Sequence, residues 1–155
     1  MSSPILTPPS GTLAAHIKGI WWLLTREDWN KEGEKRIDPT LGADPIGILS
    51  YSGTHFAAQF MKRDRTEGTG GQASYSGQNN TVAVDGYDAY FGTYEVDEVT
   101  GKVAHTLIGS ITPANIGITV SRDIRADNDK LVIQLETTRP DGEAITRTLT
   151  WKRIN

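Results

Sequence analysis

The feature that most constrains this chain is the series of short alternating segments that fills its second half. Segments that tend to alternate between apolar and polar residues cover residues 88–97, 102–110, 117–125, 130–137 and 143–153, although both faces are mixed in the first two. A period of two predicts half-buried strands, and the short turn-rich connections between them, such as TPAN and RPDG, are typical of antiparallel neighbours. The second half therefore predicts five consecutive antiparallel strands.

The first half predicts three further strands and one short helix. The strands cover residues 17–27, 45–51 and 54–62, and the helix covers residues 10–18 with Ser10 as its cap. Residues 30–44 and 63–87 are predicted to be loops, and the second is long enough to gate a cavity. About eight strands joined by turns indicate an up-and-down barrel or a sandwich.

Length and composition exclude several classes of protein. A chain of 155 residues fits one domain, and its net charge of −3 disfavours binding to nucleic acid. The absence of cysteine excludes disulfides and thiolate chemistry. Residues 1–10 lack the features of a secretory signal, and no apolar run reaches the roughly 18 residues of a membrane span, so we expect a cytoplasmic location.

No cofactor or metal is expected from the sequence. The chain has neither a dinucleotide-binding G-x-G-x-x-G nor a G-x-S-x-G nucleophile elbow. His16, His55 and His105 lie too far apart to have the spacing of metal ligands.

Strand alternation predicts which polar side chains point inward. Arg122 shares a face with Val120 and Ile124, and His105 shares one with Val103 and Leu107. An inward guanidinium needs an acceptor, because a buried charge without a partner is unfavourable.

The strand at 88–97 leaves two alternatives open. One face carries Tyr90 and Tyr94, and the other carries Phe91 and Glu95. In the first alternative Tyr94 offers a hydroxyl to a ligand. In the second alternative Glu95 pairs with Arg122.

Several motifs resemble the lipocalin-like domain family. Gly19-Ile20-Trp21 at the head of the first strand and Arg153 near the end of the last resemble the G-x-W motif and the late basic residue of lipocalins. The run from Tyr90 to Asp97 and the later Pro113-Ala114-Asn115 resemble the second half of that family.

The resemblance implies an all-β fold, a single eight-stranded antiparallel up-and-down barrel of lipocalin type. Residues 1–16 would form an N-terminal arm and a short helical turn, and residues 17–155 the barrel. Arg153 would pack on Trp21 by cation–π contact. Phe56, Phe60, Met61 and Phe91 would form apolar wall or core.

The resemblance also implies a function, since related barrels include allene oxide cyclases and natural-product cyclases. We expect a hydrophobic small molecule in the lumen and a cofactor-independent isomerase or cyclase reaction. The alternatives are a non-catalytic carrier of an apolar or carboxylated ligand, and a filled barrel that acts through its surface. The protein would be a monomer or a homodimer. The expected catalytic residues are Arg122, His105 and Tyr94, and the expected ligand-binding residues are Tyr51, Phe56, Phe60, Tyr90, Glu95 and Val120.

Overall fold

The computed structural model describes residues 11–65, 79, 81 and 83–155 of the chain. These residues form one short α-helix, a 3₁₀ turn at Pro113–Asn115 and a sheet of nine strands. The elements are α1 (Leu13–Ile17), β1 (Gly19–Asn30), β2 (Lys35–Arg36), β3 (Ile46–Tyr51), β4 (His55–Met61), β5 (Tyr87–Val96), β6 (Lys102–Ser110), β7 (Thr119–Ala126), β8 (Lys130–Thr138) and β9 (Ala144–Arg153).

The sheet closes into a barrel. Each strand pairs antiparallel with the next, except that β1 pairs with β3 and also with β9. Eight strands therefore form the closed ring, and β2 lies outside it on the far end of β1. The predicted all-β, eight-stranded antiparallel barrel is confirmed.

Two local predictions need correction at the start of the chain. The helix is capped by Thr12, whose Oγ1 accepts a hydrogen bond from the Ala15 amide. Ser10 lies outside the described residues. The first strand begins at Gly19 and continues to Asn30, past the predicted end at residue 27.

One of the two predicted loops contains structure that the sequence did not indicate. Residues 30–44 contain β2 and an isolated bridge between Asp38 and Gly42, which brings Leu41 into the core. The polar, turn-rich composition of these residues predicts a loop and gives no indication of a strand or a buried side chain. Of the predicted 63–87 loop, the structure describes residues 63–65, 79, 81 and 83–87, and the rest lies outside the described residues.

A β-bulge in β1 changes which residues face inward. Trp21 and Leu23 point into the barrel, the register with β9 shifts between Leu23 and Thr25, and Asp28 and Asn30 are then buried. A bulge inserts one extra residue, so the alternation changes phase. This explains why the sequence of β1 does not alternate cleanly.

Helix α1 and Arg153 close one end of the barrel. Ile17 and Trp21 are fully buried, and the Trp21 indole donates to the Ile17 carbonyl at 2.9 Å. The Arg153 guanidinium lies 4.2 Å from the centre of the Trp21 ring and donates to the carbonyls of His16 and Lys18. The predicted cation–π contact is confirmed.

Gly92 makes the second half of the barrel sensitive to a single methyl group. It lies where the register of β5 on β6 shifts, and a Cβ there would overlap the carbonyl oxygen of Thr106. At Gly109 the obstacle is instead the ring of Phe91, which is 53% exposed. Backbone cannot move aside as an exposed side chain can.

We therefore expect Gly92→Ala to lower the free energy of unfolding by about 1–3 kcal/mol, the usual range for overpacking. Gly109→Ala is the matched control, and it should lower the free energy of unfolding clearly less. Urea denaturation of both variants measures the difference. Equal losses for the two variants would contradict this account of Gly92.

Candidate functional site

The barrel interior contains a polar cavity toward the end opposite α1. The cavity measures about 40 Å³, which is room for about three water molecules at 10–15 Å³ each. Its lining combines charged groups with an apolar wall. The lining residues are Arg26, Asp38, Leu41, Leu49, Ala58, Phe60, Thr81, Ala83, Asp88, Tyr90, His105, Arg122, Ile133, Leu135, Arg147, Leu149 and Trp151.

Two of the three arginines in this lining are paired with carboxylates. Arg147 donates to both oxygens of Asp28, at 2.7 and 3.1 Å, and Arg26 donates to Asp38 at 3.1 Å. Burial raises the pKa of Asp38, but the charges of Arg26 and Arg147 outweigh that effect and hold the pKa well below its usual range. Each of these two arginines therefore has a carboxylate partner inside the barrel.

Arg122 is the third arginine, and its surroundings differ. Its side chain is buried at 5% exposure, and burial lowers its pKa. Nη1 donates to the Asn79 carbonyl at 3.0 Å, to Asn79 Oδ1 at 3.1 Å and to the Ser121 carbonyl at 2.9 Å. Within the described residues, no carboxylate lies within 4.0 Å of this guanidinium. The charge of Arg122 is therefore met by neutral oxygens alone in that part of the chain.

Asn79 holds Arg122 in place from the side of the barrel. Its Oδ1 accepts a hydrogen bond from the Ser121 amide at 2.8 Å, and its Nδ2 donates back to the Ser121 carbonyl at 3.1 Å. The φ angle of Asn79 is +57°, a left-handed conformation that asparagine adopts more readily than most residues. A connection between strands thus completes the site.

His105 lies beside Arg122 as a neutral ring. Burial, followed by the charge of Arg122, lowers its pKa to about 3. The ring stacks on Phe56 with centroids 4.2 Å apart, and Nε2 lies 2.8 Å from the Tyr51 hydroxyl. The described residues offer that hydroxyl hydrogen no other acceptor, so we assign Tyr51 as the donor to Nε2. Nδ1 then carries the proton, and it has no partner among the described residues.

Asp88 is a buried carboxyl group that the sequence analysis did not single out. It is 3% exposed, and Thr81 Oγ1 donates to its Oδ2 at 2.6 Å. Its Oδ1 has no partner in the part of the chain that the structure describes. Burial raises the pKa of this carboxyl, although the Thr81 hydrogen bond opposes that effect. Asp88 shares a strand face with Tyr90, so the inward position of Asp88 could have been predicted from the alternation of β5 once its tyrosine face was placed inside.

The structure brings together four of the predicted site residues. Arg122, His105, Phe60 and Tyr90 all line the cavity. Three others are buried in the core outside this cavity, and they support His105. Tyr51 bonds its ring, Phe56 stacks on it and Val120 pairs with it across the sheet.

The other two predicted site residues, Tyr94 and Glu95, lie outside the cavity. Tyr94 faces inward, but it lies outside this cavity at the turn between β3 and β4, where its hydroxyl accepts a hydrogen bond from the Gly53 amide at 2.8 Å. Glu95 is exposed on the outer surface, because β5 turns its tyrosine face inward. The ion pair considered between Glu95 and Arg122 is therefore wrong.

Two residues predicted for the apolar wall also need correction. Phe91 is on the outer face of β5, 53% exposed, and Met61 is half-buried at the end of β4, opposite Tyr87. Phe56 and Phe60 are buried as predicted.

A closed eight-stranded antiparallel barrel, capped at one end and carrying a lined interior cavity, defines the lipocalin-type class of barrels. The family model of the lipocalin-like domain matches residues 18–154. The chain therefore belongs to the lipocalin-like domain family. A search among curated proteins gives no significant match. No helix in the described residues has the length and apolar character to cross a bilayer.

Proposed function

We propose that this barrel binds a small molecule with an apolar body and an anionic or strongly accepting oxygen, which Arg122 holds. The observation that carries the proposal is the difference between the three interior arginines. Arg26 and Arg147 have carboxylate partners, whereas Arg122 has none among the described residues. A buried cation without a counter-ion is unfavourable, so an anionic ligand would remove that penalty.

The rest of the lining fits such a ligand. The hydrogen bonds of Arg122 to described residues all use Nη1. In this proposal the ligand oxygen accepts from Nε and Nη2. The Nδ1–H of His105 adds a second donor near the same charge. Leu49, Phe60 and Leu149 supply apolar wall. A cavity of about 40 Å³ suits the polar end of the ligand.

The test is binding of straight-chain carboxylates of four to twelve carbons, compared with the primary alcohols of the same length. Isothermal titration calorimetry measures both series on the native protein. A hydrogen bond to a charged group contributes about 1.5–3 kcal/mol. We therefore expect Arg122→Met to weaken carboxylate binding by about 10- to 100-fold and to leave alcohol binding nearly unchanged.

Arg125→Met is the matched control, because Arg125 lies on the exposed face of the same strand. It should bind carboxylates as the native protein does. If neither series binds the native protein, the cavity is not a ligand site and the filled-barrel alternative replaces this proposal. If Arg122→Met binds carboxylates normally, Arg122 is not the anchor.

A cofactor-independent isomerase or cyclase, for example of a natural-product pathway, is the second candidate function. The observation that favours it over a carrier is the presence of a carboxyl group, Asp88, in the same lining as Arg122 and His105. A carrier needs a cation to hold an anion, but it needs no buried acid or base beside it. Turnover of a bound ligand, measured by NMR, separates the two.

A further inference from the structure

Asp88 is placed as a proton-transfer group should be placed. Its Oδ2 is fixed by the Thr81 hydroxyl, whereas its Oδ1 has no described partner and belongs to a residue that lines the cavity. A carboxyl that served only as a structural counter-ion would lie within 4.0 Å of a cation, as Asp28 and Asp38 do. No such ion pair to Asp88 exists within the described residues.

The other acid–base groups of the cavity are less suitable. His105 uses Nε2 to accept from Tyr51, so its remaining nitrogen carries a proton and can only donate. Arg26 and Arg147 are occupied by carboxylates. Asp38 also lines the cavity, but it is paired with Arg26 and Arg147, whose charges hold its pKa well below its usual range. Asp88 is thus the carboxylate in the described lining that is best placed to accept a proton from a ligand, and Arg122 is the cation that can stabilise the resulting negative charge.

We propose that Asp88 removes and returns a proton on the carbon next to a ligand carbonyl, with Arg122 beside the carbonyl oxygen. This inference rests on the proposed function, since it requires a ligand in the cavity. The ligand class would be enolisable carbonyl compounds such as 2-oxo acids. Their adjacent carboxylate and carbonyl oxygens match the paired donors of a guanidinium.

The step balances without any further reactant. The C3–H bond of the 2-oxo acid breaks, and Asp88 Oδ1 takes the proton. The C–H electron pair forms the C2=C3 bond, and the carbonyl π pair moves onto the oxygen as an enolate. Arg122 and the Nδ1–H of His105 donate to that oxygen, as preorganised donors do for a developing charge. Return of the proton to C3 regenerates the carboxylate of Asp88.

The charged and titratable groups around Asp88 set the pH at which it works. Arg26 from β1, Asp38 from the connection after β2 and Tyr90 from β5 act on it electrostatically, as does Arg122 from β7. Burial is the largest effect and raises its pKa. Because the carboxylate is the active form, the exchange rate should rise with pH through that raised pKa.

The experiment is hydrogen–deuterium exchange at C3, followed by proton NMR in D₂O. The probe is the 2-oxo acid of the chain length that binds best in the carboxylate series. Native protein should speed the loss of the C3–H signal. Asp88→Asn keeps an oxygen for Thr81 and should bind the probe within about threefold of native affinity, but its exchange should fall at least about 100-fold.

Two further variants complete the experiment, one as a control and one as a test of the Thr81 hydrogen bond. Asp123→Asn removes an exposed carboxylate of β7 and should exchange as the native protein does. Thr81→Val removes the hydrogen bond that favours the carboxylate, so the midpoint of the pH profile should move to higher pH. A merely structural role of Thr81 would leave that midpoint in place.

The outcomes separate this inference from the proposed function. Binding of the probe to the native protein without exchange, or equal exchange in Asp88→Asn, overturns the inference and leaves ligand binding intact. If no 2-oxo acid or carboxylate binds the native protein, the proposed function fails and the inference fails with it.

Discussion

Asp28→Asn should lower the free energy of unfolding by about 3–5 kcal/mol, the range for breaking a buried ion pair by removing one partner. The side chains of Asp28 and Arg147 are 3% and 8% exposed, and the guanidinium donates two hydrogen bonds to the carboxylate. Asparagine leaves the Arg147 charge inside the barrel, where the more distant Asp38, at 3.7 Å, is the remaining carboxylate that pairs with it in the described part of the chain. Urea denaturation at pH 7 measures the loss.

Two further variants show whether the loss of stability comes from the buried ion pair. Asp123→Asn breaks the exposed ion pair with Lys102 and should change stability little, because solvent screens surface charges. Asp28→Leu combined with Arg147→Met removes both charges and should recover much of the loss. A loss in Asp28→Asn no larger than that in Asp123→Asn would show that the buried pair does not hold β1 to β9.

The second prediction with a large expected effect is that the free energy of unfolding depends on pH through His105. Its pKa is about 3 in the folded protein and roughly 6.5 in the unfolded chain. Between these values the unfolded chain binds the proton and the folded protein does not, so stability falls as the pH falls. From pH 7 to pH 4.5 this group alone should remove about 2.5 kcal/mol from the free energy of unfolding.

His105→Gln should abolish that part of the pH dependence, because the glutamine oxygen can accept from Tyr51 and does not titrate. Tyr51→Phe is the control, since it removes the hydroxyl but keeps the buried ring. It should lower stability at every pH and keep the native slope. Urea denaturation of the three proteins at pH 7, 6, 5 and 4.5 gives the three slopes needed. Parallel curves for native protein and His105→Gln would contradict the assignment.

The sequence predicts most of the barrel because alternating segments and short turns recur through its second half. The inward position of Arg122 and His105 follows directly from that alternation, and the structure places both inside. The position of Glu95 did not follow, because both faces of β5 mix polar and aromatic residues. Packing against the neighbouring strands determines which face of such a strand points inward. That packing is not a local property of the sequence.

The charged groups in and beside the cavity were harder to predict for a different reason. Asp28 lies beyond a bulge, where the alternation of β1 changes phase. Asp38 comes from a connection whose turn-rich composition gives no sign that it folds into the barrel. Arg147 shares its face with Leu149 and Trp151, so its inward position was readable from β9, but its partner was not.

The closure of the ring between β1 and β9 has a consequence for how the molecule folds. Trp21 pairs with Arg153, roughly 130 residues later, and Asp28 meets Arg147 along the same seam. At about 5–20 residues per second, a ribosome takes about 7–26 s to make the partner strand after β1. Contacts between such distant residues form late. Breaking the Asp28–Arg147 pair should therefore speed unfolding far more than it slows folding.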